Sequence, residues 1–204
     1  PMIASARKFL LKGHEVDFIC WTDMPTDSKI DAKIIPTRPA TWPIPTLHRY
    51  HLFLQQEELL SEYDFIYYCD ADMKFVGRVG DEILGDLVAA EHPMYSIRKD
   101  YIPPYEPNEK STAYIPRVGQ VIVEKGQQRF KPLYLAGGFQ GGRSDIFIKA
   151  MKELKEMIDK DFVENNYVAV WNDESYWNIT AVEDITSAKA GGAQQLANHL
   201  VMLS

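Results

Sequence analysis

The chain has 204 residues, 46% hydrophobic and 12% aromatic, enough apolar surface to build one domain of ordinary size and too much for a disordered segment. Its formal net charge of -7 argues against nonspecific nucleic-acid binding, which draws on a basic surface. No run approaches the ~20 apolar residues of a membrane helix, and the first residues lack the blocks of a signal peptide, so a soluble chain is expected.

Ile3, Ala6, Phe9 and Leu10 recur at helical spacing, which predicts a helix from Ile3 to Lys12 stopped at Gly13. Strands follow over Val16 to Trp21 and Ala32 to Ile35. A helix feeding a strand usually has a strand before it, so the sheet is expected to lack its first strand. Cys20 and Cys69 close apolar runs and read as buried free thiols. Four prolines make Pro36 to Pro45 a connecting loop, and Thr46 is expected to cap a helix from Leu47 to Glu62.

That helix leads into Phe65-Ile66-Tyr67-Tyr68-Cys69-Asp70-Ala71-Asp72, which reads as a buried strand presenting carboxylates where it leaves the core. Open α/β sheets bind ligands at such edges. Carboxylates alternating by one along an extended chain face the same side and suit a hard cation such as Mg²⁺ or Mn²⁺, whose other ligands are usually phosphate oxygens. Acidic residues at strand ends also serve as turn and cap residues, the plainer use of the same pair.

A short helix around Glu82 to Leu87 and a strand within Val88 to Tyr95, holding His92-Pro93, come next. Ser96 to Pro116, rich in Pro, Tyr and charge, is expected to be a long surface loop over a site. The apolar run Pro132 to Phe139 enters Gly137-Gly138-Phe139-Gln140-Gly141-Gly142, read as a tight turn where a ligand can approach the backbone. Ser144 is then the expected cap of a helix from Asp145 to Lys160, whose Ile146, Phe147, Ala150, Met151, Leu154 and Ile158 keep a helical period. Val168 to Trp171 delivers Asn172-Asp173-Glu174-Ser175, with an indole to cover an apolar sugar face and carboxylates to hold hydroxyls. Acidic residues are equally at home at a helix amino end. The Asp70/Asp72, Gly137 to Gly142 and Asp173/Glu174 segments are expected to converge on one rim. From Thr186 to Ser204, small residues and Gln replace the aromatics.

Taken jointly, Tyr68-Cys69-Asp70-Ala71-Asp72-Met73-Lys74-Phe75, Val79-Gly80-Asp81-Glu82-Ile83-Leu84, Glu91-His92-Pro93, Ala113-Tyr114-Ile115-Pro116, the glycine-rich stretch and Val170-Trp171-Asn172-Asp173-Glu174-Ser175 resemble, in order, glycosyltransferase family six. That family includes the ABO blood-group and α-1,3-galactosyltransferases and their bacterial and phage relatives. The resemblance spans about Ile3 to Asn178. It implies an α/β GT-A-type, Rossmann-like fold with a central mixed sheet, a UDP-galactose or UDP-N-acetylgalactosamine donor, and a divalent cation, typically Mn²⁺. It further implies transfer with retention to the 3-hydroxyl of a galactoside.

By the same resemblance, Asp70 and Asp72 are similar to the family's metal- and diphosphate-binding Asp-x-Asp, with Ala71 between them on the donor side, and Arg49 to its donor-contacting arginine. His92 and Trp171 look like acceptor-binding residues, Asp173 like the aspartate that grips donor sugar, and Glu174 like the catalytic glutamate, which also borders the acceptor. Ala136 and Gly138 fall where the family selects its donor sugar, with Gly137 between them on the donor side, and Tyr105-Glu106 falls in its acceptor loop. The family's first strand and its basic carboxyl-terminal segment have no counterpart, and Ile179 to Ser204 does not resemble its continuation. The expectation is therefore one catalytic domain over residues 1–204, family-like to 178, with a divergent tail; a bacterial or phage member would be cytoplasmic. Two alternatives accompany it: a nucleotide-sugar or carbohydrate-binding remnant without turnover, and an Asp-x-Asp phosphohydrolase of haloacid-dehalogenase type. Met73-Lys74 does not supply the pattern the latter requires after its second aspartate.

Overall fold

The computed structural model describes residues 1–24, 30–97, 103–116, 121–124, 127–130, 134–179 and 200–201. Its centre is a three-stranded antiparallel sheet in the order β3 (Phe65–Cys69), β8 (Leu135–Arg143), β5 (Leu87–Glu91). A separate parallel pair joins β1 (Ile19–Thr22) to β2 (Lys33–Pro36). The architecture is thus mixed α/β, with its parallel and antiparallel strands in different sheets rather than in one mixed sheet. Two small antiparallel pairs complete the described strands: β4 (Lys74–Phe75) with β9 (Leu200–Val201), and β6 (Val121–Glu124) with β7 (Gln127–Phe130).

Strand periodicity sends alternate side chains to two cores. Ile66 of β3 and Leu87 and Ala89 of β5 pack against one core, which holds Leu47, Tyr50 and Leu60 of the helical turns α2 (Ile44–Leu47), α3 (Arg49–Leu54) and α4 (Glu57–Leu60). The same core takes the apolar stripe of α6 (Ser144–Asp159), namely Phe147, Ile148, Met151, Leu154 and Ile158, and Tyr176 and Trp177 of α7 (residues 173–179). On the opposite face Tyr67, Cys69, Val88, Ala90 and Phe139 meet Ala6 of α1 (Met2–Phe9) and Met73, Phe75, Val79 and Ile83. Among the described residues, no helix is long and apolar enough to cross a membrane.

Several expected elements are corrected. Helix α1 ends at Phe9 rather than Lys12, because the next amides and carbonyls bridge to Val79: Leu11 N–H donates to Val79 O at 2.6 Å and Val79 N–H to Phe9 O at 2.9 Å. The expected Leu47 to Glu62 helix is three short turns that begin at Ile44, and Thr46 lies inside the first of them without capping it. Ser144 opens α6, but its hydroxyl donates to Leu60 O at 2.9 Å and ties two helices instead of capping one. The 82–87 helix is a single 3₁₀ turn, Asp81–Ile83, while Leu87 already belongs to β5, and α5 (Pro93–Ile97) takes the end of the expected Val88 to Tyr95 strand. Both cysteines are free, as expected, and half-buried.

The largest correction is at the glycines: Gly137 to Gly142 form no turn but lie within β8, the middle strand. A side chain at Gly141 would run into the Ile66 carbonyl, and one at Gly142 into the Asp86 carbonyl, where φ is also +145°. Glycine is there because neighbouring backbone approaches too closely for a Cβ. The strand pairs Cys69 with Phe139, and Asp70 N–H continues the ladder to Gly138 O at 3.0 Å. Antiparallel pairing, not a shared carboxyl edge, therefore brings the glycines to the Asp-x-Asp.

Candidate active site

Asp70 emerges at the end of β3 with 37% of its side chain exposed, and Asp72, two residues on, is exposed. The Tyr68 hydroxyl donates to Asp70 Oδ1, and Arg49 Nη1 stands 3.7 Å from the same oxygen. The Arg49 guanidinium also lies over the Tyr68 ring, 4.2 Å from its centroid, and its Nε is 3.1 Å from Asp173 Oδ2. Burial works to lower the Arg49 pKa, but Asp173, Tyr68, Tyr50 and Asp70 outweigh it and hold the group above its usual value. Arg49 thus links the strand-borne acid to the helix-borne one.

Asp173 and Glu174 begin α7, where their charge meets the positive end of the helix. Glu174 Oε2 accepts the Gly137 N–H at 2.7 Å, which fixes the carboxylate against β8. Asp173 is almost wholly buried; burial pushes its pKa up to about 7, Arg49 opposes that, and Glu174 and Asp70 add to it. Its contact with Arg49 is an ion pair off hydrogen-bonding alignment, since Asp173 Oδ2 has no aligned donor. Buried Asn178 clamps α7 to the sheet: its Oδ1 accepts from Leu135 N at 2.9 Å, and its Nδ2 donates to Leu135 O at 3.0 Å and to Glu174 O at 2.9 Å. At ~0.5–1.5 kcal/mol for each net hydrogen bond, this one side chain contributes substantially to keeping Glu174 in place.

These groups open on one cleft of ≈ 470 Å³ lined by Thr46, Arg49, Asp70, Ala71, Asp72, Gly137, Gly138, Trp171, Asp173 and Glu174. All but Thr46 are residues the sequence singles out. The pattern of Glycosyltransferase family 6 matches residues 1–187. The chain belongs to that family. It is 30% identical over 187 residues to Histo-blood group ABO system transferase 1 of Rattus norvegicus, covering 86% of this chain and 50% of the relative. It is 27% identical to Globoside alpha-1,3-N-acetylgalactosaminyltransferase 1 of Homo sapiens, again over 86% and 50%. Against the O-antigen biosynthesis glycosyltransferase WbnI of Escherichia coli it is 25% identical, over 73% of this chain and 59% of that protein. The chain spans about half the length of the first two relatives. The family match runs past Asn178, where the sequence reading ends the resemblance, and family membership displaces the phosphohydrolase alternative.

Ala136 and His92, like Tyr105 and Glu106, lie off the cleft. Ala136 is buried in β8, 4% exposed, and does not line it. His92 donates its N–H to Tyr134 O at 2.7 Å and packs its ring on Tyr95 and Tyr134, centroids 4.8 and 5.8 Å away. It approaches the site through Tyr134, a buried hydroxyl whose pKa is pushed up by burial first and then by neighbouring Glu174.

Among the described residues, no three His, Cys, Asp or Glu side chains cluster closely enough to form a metal cage. The donor set that is present, Asp70 and Asp72 on an open cleft, fits a hard cation that takes one or two carboxylates from protein and the rest from phosphate and water. Thr46, Tyr134 and Asn178 escaped the sequence reading. Thr46 looked like a cap, and a buried Asn or Tyr beside a strand carries no local signal.

Proposed function

We propose that this chain transfers galactose or N-acetylgalactosamine from a UDP-sugar to the 3-hydroxyl of a galactoside, in α linkage and with retention, on a GT-A-type fold. The observation that carries the reading is the single cleft on which Asp70/Asp72 and Asp173/Glu174 face each other's surroundings across Gly137 and Gly138. A binding module needs groups for the ligand; two acidic pairs, one at an open strand end and one with buried Asp173 beside half-buried Glu174, also supply groups for two stages of a group transfer. The human relative is named for an α-1,3 linkage and N-acetylgalactosamine, which supports both as candidates here.

In this reading Asp70 and Asp72 hold Mn²⁺ or Mg²⁺ together with the donor diphosphate, with Arg49 beside them and Ala71 and Gly137 along the donor path. The cation, when bound, neutralises charge on the departing diphosphate. Asp173 holds donor-sugar hydroxyls. Glu174 steadies the positive charge that grows at the anomeric carbon as the sugar leaves, which calls for a carboxylate on the face away from the diphosphate. Trp171 covers the acceptor's apolar face, and His92 contributes from beside Tyr134. Gly138 keeps the donor-sugar side small, favouring N-acetylgalactosamine over galactose, while buried Ala136 does not border that space.

The test is calorimetry with UDP, with and without Mn²⁺, followed by linkage analysis of products from UDP-galactose and UDP-N-acetylgalactosamine on fucosylated and plain galactosides. Cation-dependent UDP binding and an α-linked product are expected. Binding without any product would leave a carbohydrate- or nucleotide-sugar-binding protein, and no UDP binding would end the proposal.

A further inference from the structure

The loop that runs through residues 103–116 is exposed at Pro107, Glu109, Lys110 and Pro116, as expected of a surface loop, but it is anchored inward. Glu106 is 1% exposed, and Ser111 and Ala113 are buried with it. Glu106 Oε1 accepts from the Tyr167 hydroxyl at 2.7 Å and from Asn108 N–H at 2.9 Å, while Oε2 accepts from Val170 N–H at 2.8 Å. A second wholly buried carboxylate, Asp161, fixes the same loop to the same segment: it accepts from Ser111 Oγ at 2.5 Å, Thr112 N–H at 2.9 Å and the Tyr176 hydroxyl at 3.1 Å. Neither carboxylate lines the cleft. Tyr105-Glu106, placed in the acceptor loop by resemblance, thus turns its carboxylate inward.

Val170 N–H is the last backbone donor before Trp171, whose side chain lines the cleft and is half-exposed. The turn that follows is held at its other end by α7: Trp171 N–H donates to Ser175 Oγ at 3.1 Å and Glu174 N–H to Trp171 O at 3.1 Å. Between the two anchors Asn172 sits at φ +51° and donates to Ala169 O at 2.9 Å. The donor-side groups are held by other contacts: Asp70 by Tyr68 and Arg49, Asp173 by Arg49, and Glu174 by Gly137 and, through its carbonyl, by Asn178. None of those passes through Glu106.

We infer that Glu106 is a positioning residue: through Val170 N–H and the Tyr167 hydroxyl it holds the turn that presents Trp171, and so it governs acceptor recognition without touching substrate. The inference rests on the glycosyl-transfer reading for its acceptor, but its geometry does not. A glutamine at 106 has one acceptor oxygen for two groups of donors, so either Val170 N–H or Asn108 N–H is left facing an amide NH₂. Alanine removes both sets.

Glu106→Gln and Glu106→Ala should raise the acceptor KM about tenfold, the scale of a lost hydrogen bond to a charged group, and leave Mn²⁺-dependent UDP affinity within about threefold of the parent. An unchanged acceptor KM in both variants overturns the inference. So does a parallel loss of UDP affinity and acceptor binding, or failure of both variants to fold, since either makes Glu106 merely structural. If the parent transfers sugar to no acceptor, the proposed function fails instead, and backbone amide exchange decides the positioning role. Faster exchange at residues 169–172, with or without Asn108, and not at residues 137–138 upholds it; no change at 169–172, or an increase that extends to residues 137–138, overturns it.

Discussion

Asp70 ends a strand with 37% of its side chain in solvent and is followed by an exposed Asp72, whereas Asp173 begins a helix with 3% of its side chain exposed and Glu174 is held by a backbone N–H at 2.7 Å. The more open pair has lone pairs left to recruit a cation and its phosphates. The second pair is held by partners already in place: buried Asp173 beside Arg49, and half-buried Glu174 by the Gly137 N–H and the helix amino end. Groups that must bind can remain hydrated until ligand arrives. Groups that act on developing charge work best when their orientation is built in before reaction.

If that division is right, removing charge from each pair should break different quantities. The largest effect belongs to Glu174→Gln, which should bind UDP with Mn²⁺ like the parent yet transfer at least ~100-fold more slowly, the lower end for a lost catalytic group. Near-normal turnover, or a β-linked product from an α-linked donor, would sink the assignment. Asp70→Asn should do the reverse, weakening Mn²⁺-dependent UDP affinity about tenfold or more while leaving cation-independent binding alone. Gly138→Ala sharpens the same point. An added Cβ there would lie 2.6 Å from Asp70 Oδ2 and 2.8 Å from Met73 Cε, so it presses on the carboxylate before it fills any sugar pocket. Its first symptom in calorimetry should be weaker Mn²⁺-dependent UDP binding, with any shift toward galactose secondary. A clean switch of donor at unchanged affinity would show that Asp70 moves aside freely.

The open half of the cleft was legible in sequence and the buried half only partly so. Phe65 to Cys69 is an apolar, aromatic run of strand length, and the strand and its two carboxylates fall where that pattern puts them. Asp173 and Glu174 had two readings, a sugar site or a helix amino end, and both suit their position at the start of α7 on the cleft. The glycines misled, since Gly137 to Gly142 has the composition of a turn and its reason for being glycine lies in Ile66 and Asp86, far away in sequence. Glu106 misled as well: a charged residue among prolines reads as exposed, and the amide of Val170 and the hydroxyl of Tyr167, more than 60 positions on, join local Asn108 N–H to make its burial possible. Thr46 and Ser144 illustrate the same limit, because a hydroxyl before an apolar run signals a cap whether or not tertiary packing uses it as one.

The smallest expected effect is also the most direct measure of the burial of Asp173. Asp173 holds its proton up to about pH 7 in the folded chain, because burial outweighs Arg49, and releases it near pH 4 when unfolded, the ordinary carboxyl range. Between those limits the folded state binds a proton that the unfolded state does not, so this group's contribution to stability is full at pH 4 and is lost as pH rises to 7. Asparagine cannot titrate. In chelator, the stability of the parent relative to Asp173→Asn should therefore fall steadily from pH 4.5 to 7 and level off above, a change in relative Tm on the order of several °C. Asp70 is one of the charges that raise the Asp173 pKa, so Asp70→Asn should shorten the window from its upper end. Parallel melting curves for parent and Asp173→Asn across this range would mean that Asp173 is ionised throughout, and that the two acidic pairs differ in position but not in electrostatic character.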